Sequence, residues 1–300
     1  MDEFEVIPAM PTIFDRKEEI SPDETAKVIE FLNGTSCTGI AVSMVGGEFY
    51  KLSSVERVSL YSLAMEHIEK GKKVYAGVTH TGLKPAIMLS KAAEDAGVTA
   101  IIVMPPIKNP FETFTVKNME KYFSMIAKSV EIPFIVQDYN FSLPSEFFVK
   151  LKEEYSNFSG IKIEGKDFNS IIDRIKQLRK DLGSSVSILG GMLGANIVRE
   201  FAAGSSGVIP GSSLVDYFPH RSKKTMPLIG KKNECFSGIL PVLQFEVQNF
   251  DYFVHLEKII LKHRGVIEST VCRSPTSYPP QFMERKLNKL LLAISKNLNF

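Results

Sequence analysis

PFIVQDYN (133–140) and SGIKIEG (159–165) bracket the stretch on which the fold turns. Each begins as a short apolar run of the kind that forms a strand. Side chains in a strand alternate between faces, so Lys162 and Glu164 share one face while Ile161 and Ile163 share the other. Tyr139 closes the earlier run. If the segment between the runs is a helix, the two strands are parallel neighbours, and Tyr139 and Lys162 both lie toward their C-terminal ends. Burial disfavours an ammonium, and a lysine in such a run tends to become a neutral amine and a nucleophile. The same spacing equally allows an ion pair between Lys162 and Glu164. The two residues alone leave both readings open.

Working outward, the same alternation of apolar run and helical segment recurs along the chain. Strands are expected at 6–14, 39–44, 74–78, 99–104, to Tyr139, around Lys162, and at 186–191 and 206–211. Ser21-Pro22-Asp23-Glu24 reads as an N-cap, a proline in the first turn and a capping-box glutamate, opening a helix to Asn33. Ser53 with Glu56 opens the next, to about Lys70. Further helices are expected at 83–96, 115–129, from about Pro144, at 167–182 and at 194–203. The strand runs are rich in Val and Ile without strict alternation, as strands covered on both faces should be. The pattern predicts an α/β fold, a TIM (β/α)8 barrel over residues 1–215. An open doubly wound sheet is the alternative, but no GxGxxG follows the first strand. Residues 216–300 are expected to add C-terminal helices near 232–249, 251–263 and 280–297, packed on the barrel. Leu287, Leu290, Leu291, Ile294 and Leu298 form a packing stripe on the last.

Composition narrows the function. In 300 residues, 36 Lys plus Arg against 34 Asp plus Glu give a net charge of +2. That offers no basic field for nucleic acid or for anionic lipid. The opening MDEFEVIP is acidic and short of apolar length, so neither a secretory signal nor a membrane span is expected, and the expected location is cytoplasmic. Cys37, Cys235 and Cys272 have no CxxC spacing, and the histidines form no HExxH or HxH pair. No metal site is expected.

Reactive groups of such barrels gather at the C-terminal ends of the strands. Tyr139 and Lys162 lie there, and strand two delivers Met44-Val45-Gly46-Gly47-Glu48 to the same end. Its two glycines let backbone N–H groups turn toward a small carboxylate. A lysine, a phenol one strand away and an anion-ready loop describe Schiff-base chemistry on a 2-oxo acid. Glu48 reads as support for the loop. His80, Phe111, Phe114 and Phe141 read as solvated or packing groups, Cys37 as a buried small side chain, and Arg273 as an anchor for the C-terminal helices.

These residues carry a resemblance. The chain resembles the dihydrodipicolinate synthase and N-acetylneuraminate lyase family of class I lyases over nearly its full length. The matching marks are GE with KLSSVER (47–57), MPP (104–106), YN (139–140), GIK (160–162), LGG (189–191) and GVIPG (207–211). The resemblance implies Lys162 as the Schiff-base lysine, with a covalent imine and no separate cofactor. It implies Tyr139 as the proton-relaying phenol, backbone near Val45, Gly46 and Gly47 as the seat of the keto-acid carboxylate, and Gly191 and Ile209 beside the lysine. A homo-oligomer, tetramer or dimer, is also implied. The chain departs from the family where members commonly show Gly-Thr-Thr-Gly-Glu or Gly-Ser-Thr-Gly-Glu, since Met44-Val45-Gly46-Gly47-Glu48 has no hydroxyl. Pro106-Ile107 and Pro144 stand where dihydrodipicolinate synthases carry an aromatic pair and an arginine.

The expected function is therefore an aldolase or dehydratase acting on pyruvate or on a 2-keto-3-deoxy sugar acid. Dihydrodipicolinate synthase, condensing pyruvate with aspartate semialdehyde, is the second reading. It needs a partner for the aldehyde's carboxylate, for which Arg199, Arg174 and Lys108 come into question. A non-catalytic keto-acid-binding protein on the same barrel is the third.

Overall fold

The computed structural model describes residues 4–107, 114–165, 167–218 and 234–295. Its strands are β1 (Glu5–Val6), β2 (Gly39–Val42), β3 (Lys73–Gly77), β4 (Ala100–Val103), β5 (Phe134–Tyr139), β6 (Phe158–Glu164), β7 (Ser187–Gly190) and β8 (Gly207–Val208). The helices between them are α1 (Pro22–Asn33), α2 (Ser54–His67), α3 (Leu83–Asp95), α4 (Val116–Ala127), α5 (Ser145–Glu154), α6 (Phe168–Leu182) and α7 (Ile197–Ala203). After the barrel come α8 (Glu234–Gln248), α9 (Phe253–His263) and α10 (Gln281–Ser295).

Local chemistry sets where these helices start. The Ser21 hydroxyl accepts from the Glu24 N–H ahead of Pro22, and Ser53 with Glu56 forms a reciprocal capping box. Each satisfies backbone donors that a helix start otherwise leaves open. Thr115 with Asn118 does the same for α4, and Asp167 caps α6.

The strands form one parallel sheet in the order β1-β8-β7-β6-β5-β4-β3-β2. Its two ends meet: the Thr38 N–H donates to the Val6 carbonyl at 2.8 Å, the Ala41 N–H to the Pro8 carbonyl at 2.9 Å, and Ala9 bridges Ala41. The sheet is thus a nearly closed barrel. β1 is far shorter than the expected 6–14 because Pro8 and Pro11 have no N–H to give a ladder. β8 is cut short in the same way by Pro210. Ile209 and Ala9 nevertheless continue the hydrogen bonding to Gly190 and Pro210.

Alternation divides the core in two. Ile161 and Ile163 join the large apolar layer between sheet and helices. Inside the barrel, Ile7, Ala41, Ile102, Ile135, Leu189 and Ile209 form a second, smaller cluster. Lys162 faces that interior. Two consecutive residues of α9 bind the C-terminal helices to the barrel mouth. The Glu257 carboxylate accepts from the N–H groups of Ser212 and Ser213 just after β8, at 2.8 and 3.0 Å. Lys258, fully buried, donates to Glu48 at 2.8 Å beyond β2. Arg273 pairs with Glu56 at 2.7 Å and donates to the Glu18 carbonyl, so the segment before α10 is anchored as well. Of the expected leucine stripe, Leu287, Leu291 and Ile294 are buried. Leu298 lies outside the described residues.

Candidate active site

Lys162 enters the site because β6 carries it. In the register of the sheet it faces Gln137 of β5 on one side and Leu189 of β7 on the other. One step toward the mouth, Tyr139 stands opposite Glu164. Below this level the interior is apolar, and above it lies a cavity of about 200 Å³ lined by Lys162, Tyr139, Gln137, Glu164, Val45 and Gly46, among others. Lys162 is 5% exposed and looks into that space.

The ion pair allowed by the strand spacing is present. Lys162 Nζ stands 3.1 Å from Glu164 Oε2. The same oxygen accepts from Gln137 Nε2 at 2.5 Å, and Glu164 Oε1 accepts from the Met192 N–H at 3.3 Å. Behind this group, on α7, lies the fully buried Glu200. Burial and the nearby Glu164 push the Glu200 carboxyl up to about 8, so at neutral pH it keeps its proton.

Val45–Gly47 forms a single 3-10 turn that ends in a left-handed Glu48. The first N–H groups of such a turn have no acceptor within it, and Val45 and Gly46, which begin it, line the cavity. The turn is held from beneath. Glu48 is buried, pairs with Lys258 and Lys51, and accepts from the Arg273 N–H. Its supporting role is the one expected from the sequence.

Of the residues singled out in the sequence, Lys162, Tyr139, Val45, Gly46 and Ile209 line one cavity. Gly47 and Gly191 stand one layer back. The Gly47 carbonyl accepts from the Thr12 hydroxyl at 2.7 Å, and Gly191 is covered by Glu164, whose Cγ lies 2.2 Å from where a Cβ would stand there. Arg174 donates to the Ser145 hydroxyl and the Leu143 carbonyl, and Arg199 to Asn169, so neither reaches the cavity. Lys108 and Phe111 lie outside the described residues. Phe114 and Phe141 pack against the core, and the His80 Nδ1 accepts from the Gly82 N–H in its own loop.

Other lining residues carried no signal as a set. Leu193 follows β7, Phe250 and Phe253 are stacked at 4.6 Å ahead of and within α9, and Glu257 projects from α9. Gln137 was within reach of the alternation, since it lies two residues before Tyr139 on the same strand. Backbone strain marks the same mouth. Ser43, Asn140, Phe141, Met192 and Leu193, all non-glycine, adopt positive φ just beyond β2, β5 and β7. Such conformations persist where surrounding structure enforces them, and they gather at functional sites.

Fold and site together define a parallel (β/α)8 barrel protein with a lysine-centred cavity at the C-terminal ends of its strands. The chain belongs to the dihydrodipicolinate synthetase family, whose pattern it matches over residues 3–294. Among individual relatives, it is 29% identical over 180 residues to YagE of Escherichia coli K12, provisionally named a 2-dehydro-3-deoxy-D-gluconate aldolase, with 58% of this chain and 56% of that protein aligned. It is 31% identical over 191 residues to a 4-hydroxy-tetrahydrodipicolinate synthase of Bartonella tribocorum, with 62% of each chain aligned. The matched stretch therefore spans less than two thirds of either relative. Among solved structures, dihydrodipicolinate synthase of Aquifex aeolicus superposes with a TM-score of 0.83 at 22% identity, covering 99% of this chain and 98% of that one. YagE in complex with pyruvate superposes with a TM-score of 0.83 at 22% identity, covering 97% and 98%. These structures share the fold.

Proposed function

We propose that this chain is a class I lyase, an aldolase or dehydratase in which Lys162 forms an imine with pyruvate or with a 2-keto-3-deoxy sugar acid that yields it. The observation that carries the reading is the placement of Lys162: buried, facing a cavity, with Tyr139 on the adjacent strand lining the same space. An amine so placed attacks the C2 carbonyl, and the protonated imine then serves as an electron sink for cleavage or elimination at C3 and C4. The Val45 and Gly46 N–H groups receive the carboxylate, with Gly47 supporting their turn. Tyr139 moves protons at the substrate oxygen in the cleavage or elimination that follows imine formation. Gly191 and Ile209 shape the wall beside the lysine.

The reading is tested by borohydride reduction with pyruvate, followed by mass spectrometry of the digested protein. A reduced pyruvyl adduct on the peptide carrying Lys162 is expected, and Lys162→Ala should lose it together with all turnover. Activity retained in that variant would reject the mechanism. The lysine itself is the covalent catalyst and no cofactor is needed, so adduct yield should survive exhaustive dialysis against a chelator.

The names of the relatives favour a second assay, condensation of pyruvate with aspartate semialdehyde. Against that substrate stands the cavity wall, where Lys162 is the cationic side chain among the described lining residues. We further propose a homo-oligomer, tetramer or dimer, in the cytoplasm. Phe282 and Leu292 of α10 are 59% and 55% exposed, an apolar surface suited to a second copy. Cys37, Cys235 and Cys272 are not joined in disulfides, as in reducing compartments. Sedimentation velocity and cell fractionation test these two statements. Among the described residues, no helix is long and apolar enough to cross a membrane.

A further inference from the structure

The Schiff-base reading leaves a chemical gap. Forming an imine from a lysine paired with a carboxylate requires protons to leave nitrogen and reach oxygen, and the loop after β2 carries no hydroxyl at Val45, Gly46 or Gly47 to pass them on. Four titratable side chains line the cavity among the described residues: Tyr139, Lys162, Glu164 and Glu257. Glu257 is saturated, accepting from both the N–H groups and the hydroxyls of Ser212 and Ser213. Glu164 remains as the carboxylate in contact with the reacting nitrogen, 3.1 Å away.

Three elements build its seat. β5 supplies Gln137, whose amide donates to Oε2, the oxygen that also faces Lys162. The loop after β7 supplies the Met192 N–H, in a left-handed backbone conformation, to Oε1. Gly191 supplies room, because any Cβ there would overlap the Glu164 side chain. The charged and titratable groups around Glu164 are Lys162 on its own strand, Tyr139 on β5 and Glu200 on α7. Burial keeps Glu200 protonated at neutral pH, so it adds no second negative charge behind the pair.

We propose that Glu164 is a catalytic acid–base residue that carries protons between Lys162 and the substrate carbonyl, and that Gln137 is its positioning residue. This rests on the imine reading above. In the proposed step, Glu164 takes a proton from the Lys162 ammonium, and the freed lone pair attacks C2 of the 2-oxo acid. The C=O electron pair moves to oxygen, which takes that proton from Glu164 to give the carbinolamine. Glu164 then removes a second proton from nitrogen and delivers it to the hydroxyl, which leaves as water while the C=N bond forms. An ammonium and a carbonyl have become an iminium and one water. The total charge is unchanged, nothing is oxidised or reduced, and Glu164 ends as the carboxylate beside the iminium.

The test is the rate of borohydride-trapped adduct formation with pyruvate in Glu164→Gln, Glu164→Ala and Gln137→Met, with folding checked by circular dichroism. Glu164→Gln should slow adduct formation about a hundredfold or more, the range of a general acid–base contribution. Its rate should rise with pH as solvent base takes over. Added formate should restore part of the Glu164→Ala rate. Gln137→Met, which keeps both charged groups, should lose severalfold and shift the pH profile in the same direction. If Glu164→Gln traps and turns over within about twofold of the unaltered protein with the same pH profile, Glu164 is only a structural counter-ion and the proposal falls while the imine reading stands. If Glu164→Gln does not fold, an unchanged rate and profile in Gln137→Met overturns it instead. If the unaltered, folded protein forms no adduct with any 2-oxo acid while Lys162 remains reactive to a general amine reagent, both fall.

Discussion

A buried carboxyl can be read by what it costs. Glu200 has neither carboxylate oxygen hydrogen-bonded and lies against Gly190, where a side chain would collide with it. Its ordinary value is 4.5, and burial together with Glu164 raises it to about 8. Between those values the folded protein holds a proton that the unfolded chain has already released. Stability contributed at this position is therefore complete below about 4.5, falls as pH rises through the window, and levels off above about 8. Glu200→Gln should remove that slope, gaining on the unaltered protein by up to roughly 1 kcal/mol per pH unit across the window. Urea midpoints at successive pH values check this, and parallel curves would refute it. Lys162 shows the complementary lesson at the same scale. The sequence allowed either an ion pair or a nucleophile, and the structure contains the ion pair, at the head of a cavity.

At the scale of elements, the helix starts that carry a side-chain cap are the best-determined features of the chain. Ser21 and Ser53 cap α1 and α2 as their local patterns require. The Ser53 capping box also fixes the point where the Val45–Lys51 loop returns to regular structure. Ser53→Ala should lower stability by about 1 kcal/mol, as removal of such a cap ordinarily does, with the same denaturant slope. Chemical denaturation measures it, and a change below a few tenths would mean that the loop is held wholly by Glu48 and Arg273. Element ends were less legible. α2 stops at His67 and not near Lys70, and α7 begins only at Ile197, after the strained turn at Met192–Gly194. Its late start follows from tertiary demand, since that turn points the Met192 N–H at Glu164.

At the scale of the molecule, the barrel mouth is completed by chain from the C-terminal helices. Lys258 of α9 reaches Glu48 beside the Val45–Gly47 turn, and Phe253 of the same helix lines the cavity. Removing one partner of a buried pair leaves an uncompensated charge, so Lys258→Met should destabilise by about 3 kcal/mol. The double variant Glu48→Gln with Lys258→Met should recover part of that loss, because neither charge then remains. Thermal or denaturant unfolding of the single and double variants tests this coupling; additive losses would show that the two residues act separately.

Across these scales, the sequence by itself determined the alternation of strands and helices, the inward face of β6, and the placement of Lys162 and Tyr139 on neighbouring strands. All of these rest on rules acting within a few residues: the two-residue period of a strand, the reach of a capping side chain, and the need of parallel strands for a crossover. Only the tertiary structure decided that Gln137 holds Glu164, that Gly191 makes room for it, and that Phe250, Phe253 and Glu257 close the mouth. Those contacts join positions far apart in the chain, and they depend on the register of β5 against β6 and on where α9 docks. Neither quantity is written in any local window, because each is set by the packing of the whole barrel.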